Sequence, residues 1–146
     1  MLACPGSSDA DFKKMSLAAA KLSVTKPSRV VTEKTTHCLV DTSQHLATLL
    51  SAQLVGAQLV LTEWIFQCRQ LGQLVDTEPF LLTQPDLTAE GRKRSRECRA
   101  RGQPRLMTGL HFYLAGAFDK PSKAELQKII HLSGAKIINR YVLVVI

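Results

Sequence analysis

The side chains with chemical potential in this sequence are four cysteines, four histidines and one dense basic run. Cys4, Cys38, Cys68 and Cys98 are widely separated, with no Cys-x-x-Cys pair and no histidine at ligand spacing. Zinc and similar ions need three or four such donors converging, so no metal site is expected. His37, His45, His111 and His131 have no evident nucleophile or carboxylate partner along the chain. There is no G-x-S-x-G elbow, no phosphate loop, no dinucleotide fingerprint and no H-E-x-x-H pair. Without an activated nucleophile or a phosphate cradle, the expectation is a non-enzymatic chain with no cofactor.

The basic run is the feature with the most charge. Arg92, Lys93, Arg94, Arg96, Arg99, Arg101 and Arg105 stand against the single Glu97, and they account for almost all of the net charge of +7. The rest of the chain is close to neutral. Three readings remain open: contact with nucleic acid or an acidic chromatin surface, a nuclear-import signal, or a solvated linker. No aromatic residue is interleaved with the run, which disfavours stacking on single strands. No apolar stretch is long enough to span a membrane, and MLACPGSSDADFKK lacks the pattern of a signal peptide. A reducing compartment is expected, with the cysteines as thiols.

Elements that position these residues are legible from periodicity. The stretch from Thr35 to Cys68, TTHCLVDTSQHLATLLSAQLVGAQLVLTEWIFQC, reads as strand, helix, strand, helix. His37–Val40 and Leu59–Leu61 are short buried strands. Leu46, Leu49, Leu50 and Leu54 fall on one helix face, and Gly56 sits where a left-handed cap belongs. Thr62 stands as N-cap of a helix whose face carries Trp64, Ile65, Cys68 and Leu71. Upstream, Met1–Cys4 is a short strand. Ser8 caps a helix with Phe12, Met15, Ala19 and Leu22 on its face, and Arg29–Val31 forms a further short strand. Residues 76–108 show no sustained period and read as a linker with a short ordered piece at Phe80–Leu82. A loop of that length favours two domains over one. Beyond it, Leu110–Leu114 is a strand, Ser122 and Glu125 form a capping box, and Leu126, Ile129 and Ile130 face inward. Gly134 ends that helix, and Lys136–Ile138 and Tyr141–Ile146 are strands. The six apolar residues of the last one are an aggregation hazard.

Thr-Thr-His before a strand, a glycine after the next helix, then a strand and a helix with the sole Trp64, resembles a BRCT repeat. GLHFYLAGAFDKPSKAELQKIIHLSGAKIINR resembles the start of a second one. The resemblance implies an α/β fold in which a small parallel sheet is flanked by helices. It places one complete repeat in 1–75, a linker with the basic run in 76–108, and an incomplete second repeat in 109–146. A chain of this form resembles a tandem module cut within its second repeat, as a fragment or alternative product of a longer protein would be. In such modules the second helix of repeat one packs on the first helix of repeat two. The alternative is one merged domain with the C-terminal strands added to the first sheet.

Function follows from the same resemblance. It implies a protein-interaction module of a nuclear DNA-damage-response protein, binding nuclear partners, phosphorylated ones among them. In phosphate-binding members a Ser-Gly pair follows the first strand and a Lys stands in the second helix. Here Gly6 and Ser7 fall at the turn, Thr48 at the Lys position and His45 where some members have Arg. A hydroxyl and a helix end are kept, but the cation is lost. A weakened phosphopeptide pocket is therefore expected. Ser7 and Ser8 have an equally complete reading as turn and cap residues. The competing function is a nucleic-acid or nucleosome-binding module acting through Arg92–Arg105.

Overall fold

The computed structural model describes residues 1–41, 46–82 and 89–139. The strand expected at Tyr141–Ile146 and the residue His45 lie outside these. Alternating apolar residues in three short segments build a parallel sheet. β1 (Leu2–Ala3) pairs with β2 (His37–Val40), and β2 pairs with β3 (Gln58–Leu61), in the order β1-β2-β3. The strand expected at Arg29–Val31 reduces to one parallel bridge from Ser28 to Ala3 on the outer side of β1. Opposite, Leu81 bridges Val60 antiparallel, so the ordered piece expected near Phe80–Leu82 closes the far edge.

Successive residues of each strand point to opposite faces, and both faces are buried. Leu2, Leu39 and Val60 face α1 (Asp9–Lys21) and α3 (Glu63–Leu71), meeting Met15, Ala18, Ala19, Trp64, Ile65 and Cys68. Ala3, Cys38, Val40 and Leu59 face α2 (Leu46–Val55), meeting Leu49, Ala52 and Val55. Ser8 caps α1, its hydroxyl accepting from the Asp11 amide at 3.1 Å. Thr62 stands before α3 in a helical conformation, but its hydroxyl makes no cap hydrogen bond. Leu71, the last residue of α3 before Gly72, is exposed.

α2 departs from the expected face. Leu46 is 62% exposed, and the inward residues are Leu49, Ala52 and Val55, with Leu50 and Leu54 half-buried beside them. The helix is apolar nearly all round, so no single stripe marks the side that meets the sheet. Its other sides are covered by α4 (Ala89–Ala100) and α5 (Lys123–Leu132). Helix α4 occupies the region expected to be without periodic structure. α5 carries the capping box of Ser122 and Glu125, and its Leu132 joins the cluster under α2. The packing of α2 on α5 is therefore as the tandem arrangement requires. β4 (His111–Phe112) and β5 (Lys136–Ile137) pair parallel in a second sheet, separate from the first, which excludes the merged alternative among the described residues.

α2 and α5 end alike. After α2, the Gly56 amide donates to Gln53 and the Ala57 amide to Ala52. After α5, Gly134 donates to His131 and Ala135 to Ile130. Both are Schellman caps with the glycine left-handed, φ +71° at Gly56 and +89° at Gly134. Gly56 has a second reason to be glycine. A Cβ there would lie 2.5 Å from Cγ and 2.7 Å from the backbone nitrogen of Arg96 on α4. Gly72 has a similar φ of +73° and open space around it. Gly72→Ala should therefore cost only the left-handed conformation, about 1–2 kcal/mol. Gly56→Ala should cost about 1–3 kcal/mol more, because α4 must move. Urea unfolding of both variants checks this, and equal losses would show that α4 does not press on α2.

Candidate functional site

Parallel neighbours end at the same edge of a sheet, so the chain leaves β1 and β2 at the same side. The first turn holds the candidate hydroxyl and helix end. Gly6 is left-handed, φ +74°, and exposed. Ser7 turns its hydroxyl back to donate to the Cys4 carbonyl at 2.9 Å. Ser8 then caps α1. Thr48 is half-buried in the first turn of α2. Ser7 thus follows β1, and Thr48 belongs to the helix that follows β2.

A cation is present at this edge that sequence reading missed. Arg29 donates to the Ser7 carbonyl at 3.2 Å and to the Asp9 carboxylate at 2.6 Å, and its guanidinium lies 4.1 Å from the centre of the Phe12 ring. Parallel pairing of Ser28 with Ala3 is what brings Arg29 beside the turn, and that register is the signal that would have found it. The guanidinium is committed to Asp9. Carboxylates crowd the same place. Asp11 is held below the usual carboxylate range by hydrogen bonds from Ser8 and Lys14, while Asp41, at the end of β2, acts in the opposite direction. Asp9 is paired with Arg29 and Asp11 with Lys14 at 3.3 Å, so both of these cations are already matched by carboxylates.

The basic run forms most of α4. Arg, Lys, Glu and Ala are strong helix formers, so propensity alone supports it. Its cations fall into two groups. Arg92 is 7% exposed, and burial pushes its guanidinium below its ordinary range. Arg99 donates to the Glu33 carbonyl, and Arg105 pairs with the Glu33 carboxylate at 2.7 Å. Lys93, Arg94, Arg96 and Arg101 are exposed. Cys98, expected in an exposed linker, is half-buried on the inward side.

The remaining reactive groups are structural. His37 is half-buried, shares a hydrogen bond of 3.0 Å between Nδ1 and the Thr36 hydroxyl, and stacks on Trp64 at 6.0 Å and 8°. Burial, with positive charge nearby, holds its imidazole below the usual range. Cys4 and Cys38 fill the core, and burial pushes the Cys38 thiol up to about 12. Among the described residues, no three His, Cys, Asp or Glu side chains converge on a metal-sized site. No helix among them is long and apolar enough to cross a membrane.

No protein-family model matches the chain. Over 139 residues it is 30% identical to BRCA1-associated RING domain protein 1 of Arabidopsis thaliana, covering 90% of this chain and 19% of that one. It is 32% identical over 90 residues to the BREAST CANCER SUSCEPTIBILITY 1 homolog of the same plant, covering 60% of this chain and 10% of that one. The chain thus spans a fifth or less of the curated relatives it matches. Among solved structures it superposes on the BRCT5-BRCT6 domains of S. pombe Brc1 with a TM-score of 0.71 and 24% identity. That match covers 97% of this chain and 67% of the other.

The environment of His37 makes stability depend on pH. A pKa held below about 6.5 in the fold means the unfolded chain takes up its proton first. Its contribution is complete above that value and is lost as pH falls through it. The free energy of unfolding should therefore drop between pH 7 and pH 5, and His37→Gln should flatten that part of the profile. Parallel profiles for the two proteins would mean that another group titrates.

Proposed function

With the BRCT fold as premise, we propose that the chain is a non-enzymatic protein-interaction module working in the nucleus in the response to DNA damage, with a weakened phosphopeptide pocket. The observation that carries the interaction reading is the packing of α2 against α5, which joins the two sheets as in tandem BRCT modules. Relatives named for the breast-cancer susceptibility protein and its RING-domain associate support the cellular setting. Partners of this class are nuclear proteins, phosphorylated ones included.

The weak pocket rests on charge. A phosphate group brings nearly two negative charges and seeks a hydroxyl, backbone amides and a cation. The Ser7 hydroxyl is turned inward, Thr48 supplies no charge, and Arg29 is neutralised by Asp9. One charge-assisted hydrogen bond is worth about 1.5–3 kcal/mol, so its loss weakens binding roughly ten- to a hundredfold. Thr48→Lys should recover much of that for a phosphoserine peptide over its unphosphorylated form, read by fluorescence anisotropy. Asp9→Asn, which frees Arg29, should act in the same direction. Tight phosphate-dependent binding by the unaltered chain, abolished by Ser7→Ala, would overturn this account. For the wider reading, the test is capture from nuclear extract with and without phosphatase treatment. Loss of every captured protein in both arms would count against an interaction module.

A second reading is favoured by the exposed side of α4. Lys93, Arg94, Arg96 and Arg101 present cations to solvent there, and duplex DNA or the nucleosome is the matching partner. With Arg92 buried and Arg99 and Arg105 engaged at Glu33, four cations remain for phosphates. Duplex binding should then weaken with salt at a log–log slope of roughly −3 to −4. A slope near zero, or no binding at low salt, removes this reading.

A further inference from the structure

A cavity of about 450 Å³ opens where α2, α4 and α5 meet. That volume is within the range of specific ligand pockets. It lies at the C-terminal half of α2, the end of the helix away from Thr48, so it is separate from the β1–α1 turn. Its floor is apolar, made by Leu54, Val55 and Leu132. Leu106 stands on the lip and is 75% exposed.

Charge around the mouth is unbalanced. Arg94, Arg99 and Arg105 line it against the single carboxylate of Glu33. Arg105 is paired with that carboxylate at 2.7 Å, and Arg99 is held on the Glu33 carbonyl, a neutral acceptor. Their charge is therefore only partly compensated.

We propose that this cleft docks an acidic peptide segment of a partner protein, with one apolar side chain seated against Leu54, Leu106 and Leu132. Carboxylates flanking that side chain meet Arg94 and the neighbouring guanidinium groups. The inference deepens the interaction-module reading and rests on it. A nucleic-acid backbone fits less well. It offers nothing to an aliphatic floor and lip. Fixed cations around an apolar pocket suit an amphipathic, negatively charged chain, the cations setting orientation and the anchor supplying affinity.

The site contains its own reporter. Cys98 lines the cavity and is half-buried, whereas Cys4, Cys38 and Cys68 are buried in the core. Alkylation of the full chain by N-ethylmaleimide should therefore modify Cys98 first, and mass spectrometry reads its rate. The probe is an acetylated, amidated pentapeptide EEFEE, with EEGEE, KKFKK and a short DNA duplex in the other arms. At saturation EEFEE should slow Cys98 alkylation at least tenfold, and the other three should not. Arg94→Glu and Leu106→Asp change exposed side chains, so folding is retained, and each should weaken protection by EEFEE about tenfold or more. No protection by EEFEE overturns the proposal. So does equal protection by EEGEE or by the duplex, which would assign the cleft to charge alone or to nucleic acid. Capture of nuclear proteins that persists unchanged in Arg94→Glu would also reject the cleft while leaving the interaction-module reading in place.

Discussion

The contact of α4 with Gly56 is the constraint on which the seating of α2 depends. At that glycine the end of α2 and the backbone of α4 approach more closely than any side chain would allow. α4 is thereby seated on α2, and α2 is held between its own sheet, α4 and α5. A helix of composition LATLLSAQLV has no polar side to give to water, and only such enclosure satisfies it. Among the described residues the second sheet has two strands of two residues each, too little to bury a core alone. Its stability is borrowed from α5, whose Leu132 reaches the cluster beneath α2. Gly134 repeats the device on a smaller scale, since a Cβ there would meet Thr108 and Arg105.

Much of this was legible in the sequence where one physical signal dominated. The strands at His37–Val40 and Gln58–Leu61, the caps at Ser8 and Ser122, and the glycines at 56 and 134 follow from local rules that tertiary context did not override. The BRCT likeness rested on their order. What failed did so for identifiable reasons. α4 has an inward side made of Arg92, Ser95 and Cys98, so no apolar period announced it. Arginine buries an aliphatic stem as well as a charge, and periodicity counts only the charge. The face of α2 was misjudged because every side is apolar, and Leu46 lies on the one left uncovered. Arg29 was overlooked because its place beside Ser7 comes from a parallel bridge between residues far apart in sequence. Contacts of that kind leave no local trace.

The basic composition has two meanings in the folded chain. Arg92, Arg99 and Arg105 are partly spent on holding α4 and the Glu33 loop together, and the formal net charge overstates what is offered to a partner. At the opposite end, beside the β1–α1 turn, Asp9 is matched by Arg29 and Asp11 by Lys14. Fold likeness alone conveys none of this, since function resides in the side chains grafted onto the fold.

Trp64 is the sole tryptophan, and all of its described contacts belong to the first sheet and its flank. The indole stacks on His37 and donates to the Val75 carbonyl at 2.9 Å. Intrinsic fluorescence of this chain is thus an optical signal from one half of the structure. Melting of β4, β5 and α5 would leave the emission spectrum almost unchanged while ellipticity fell. A single transition by fluorescence says nothing of whether the halves unfold together; only coincidence of the two signals establishes that.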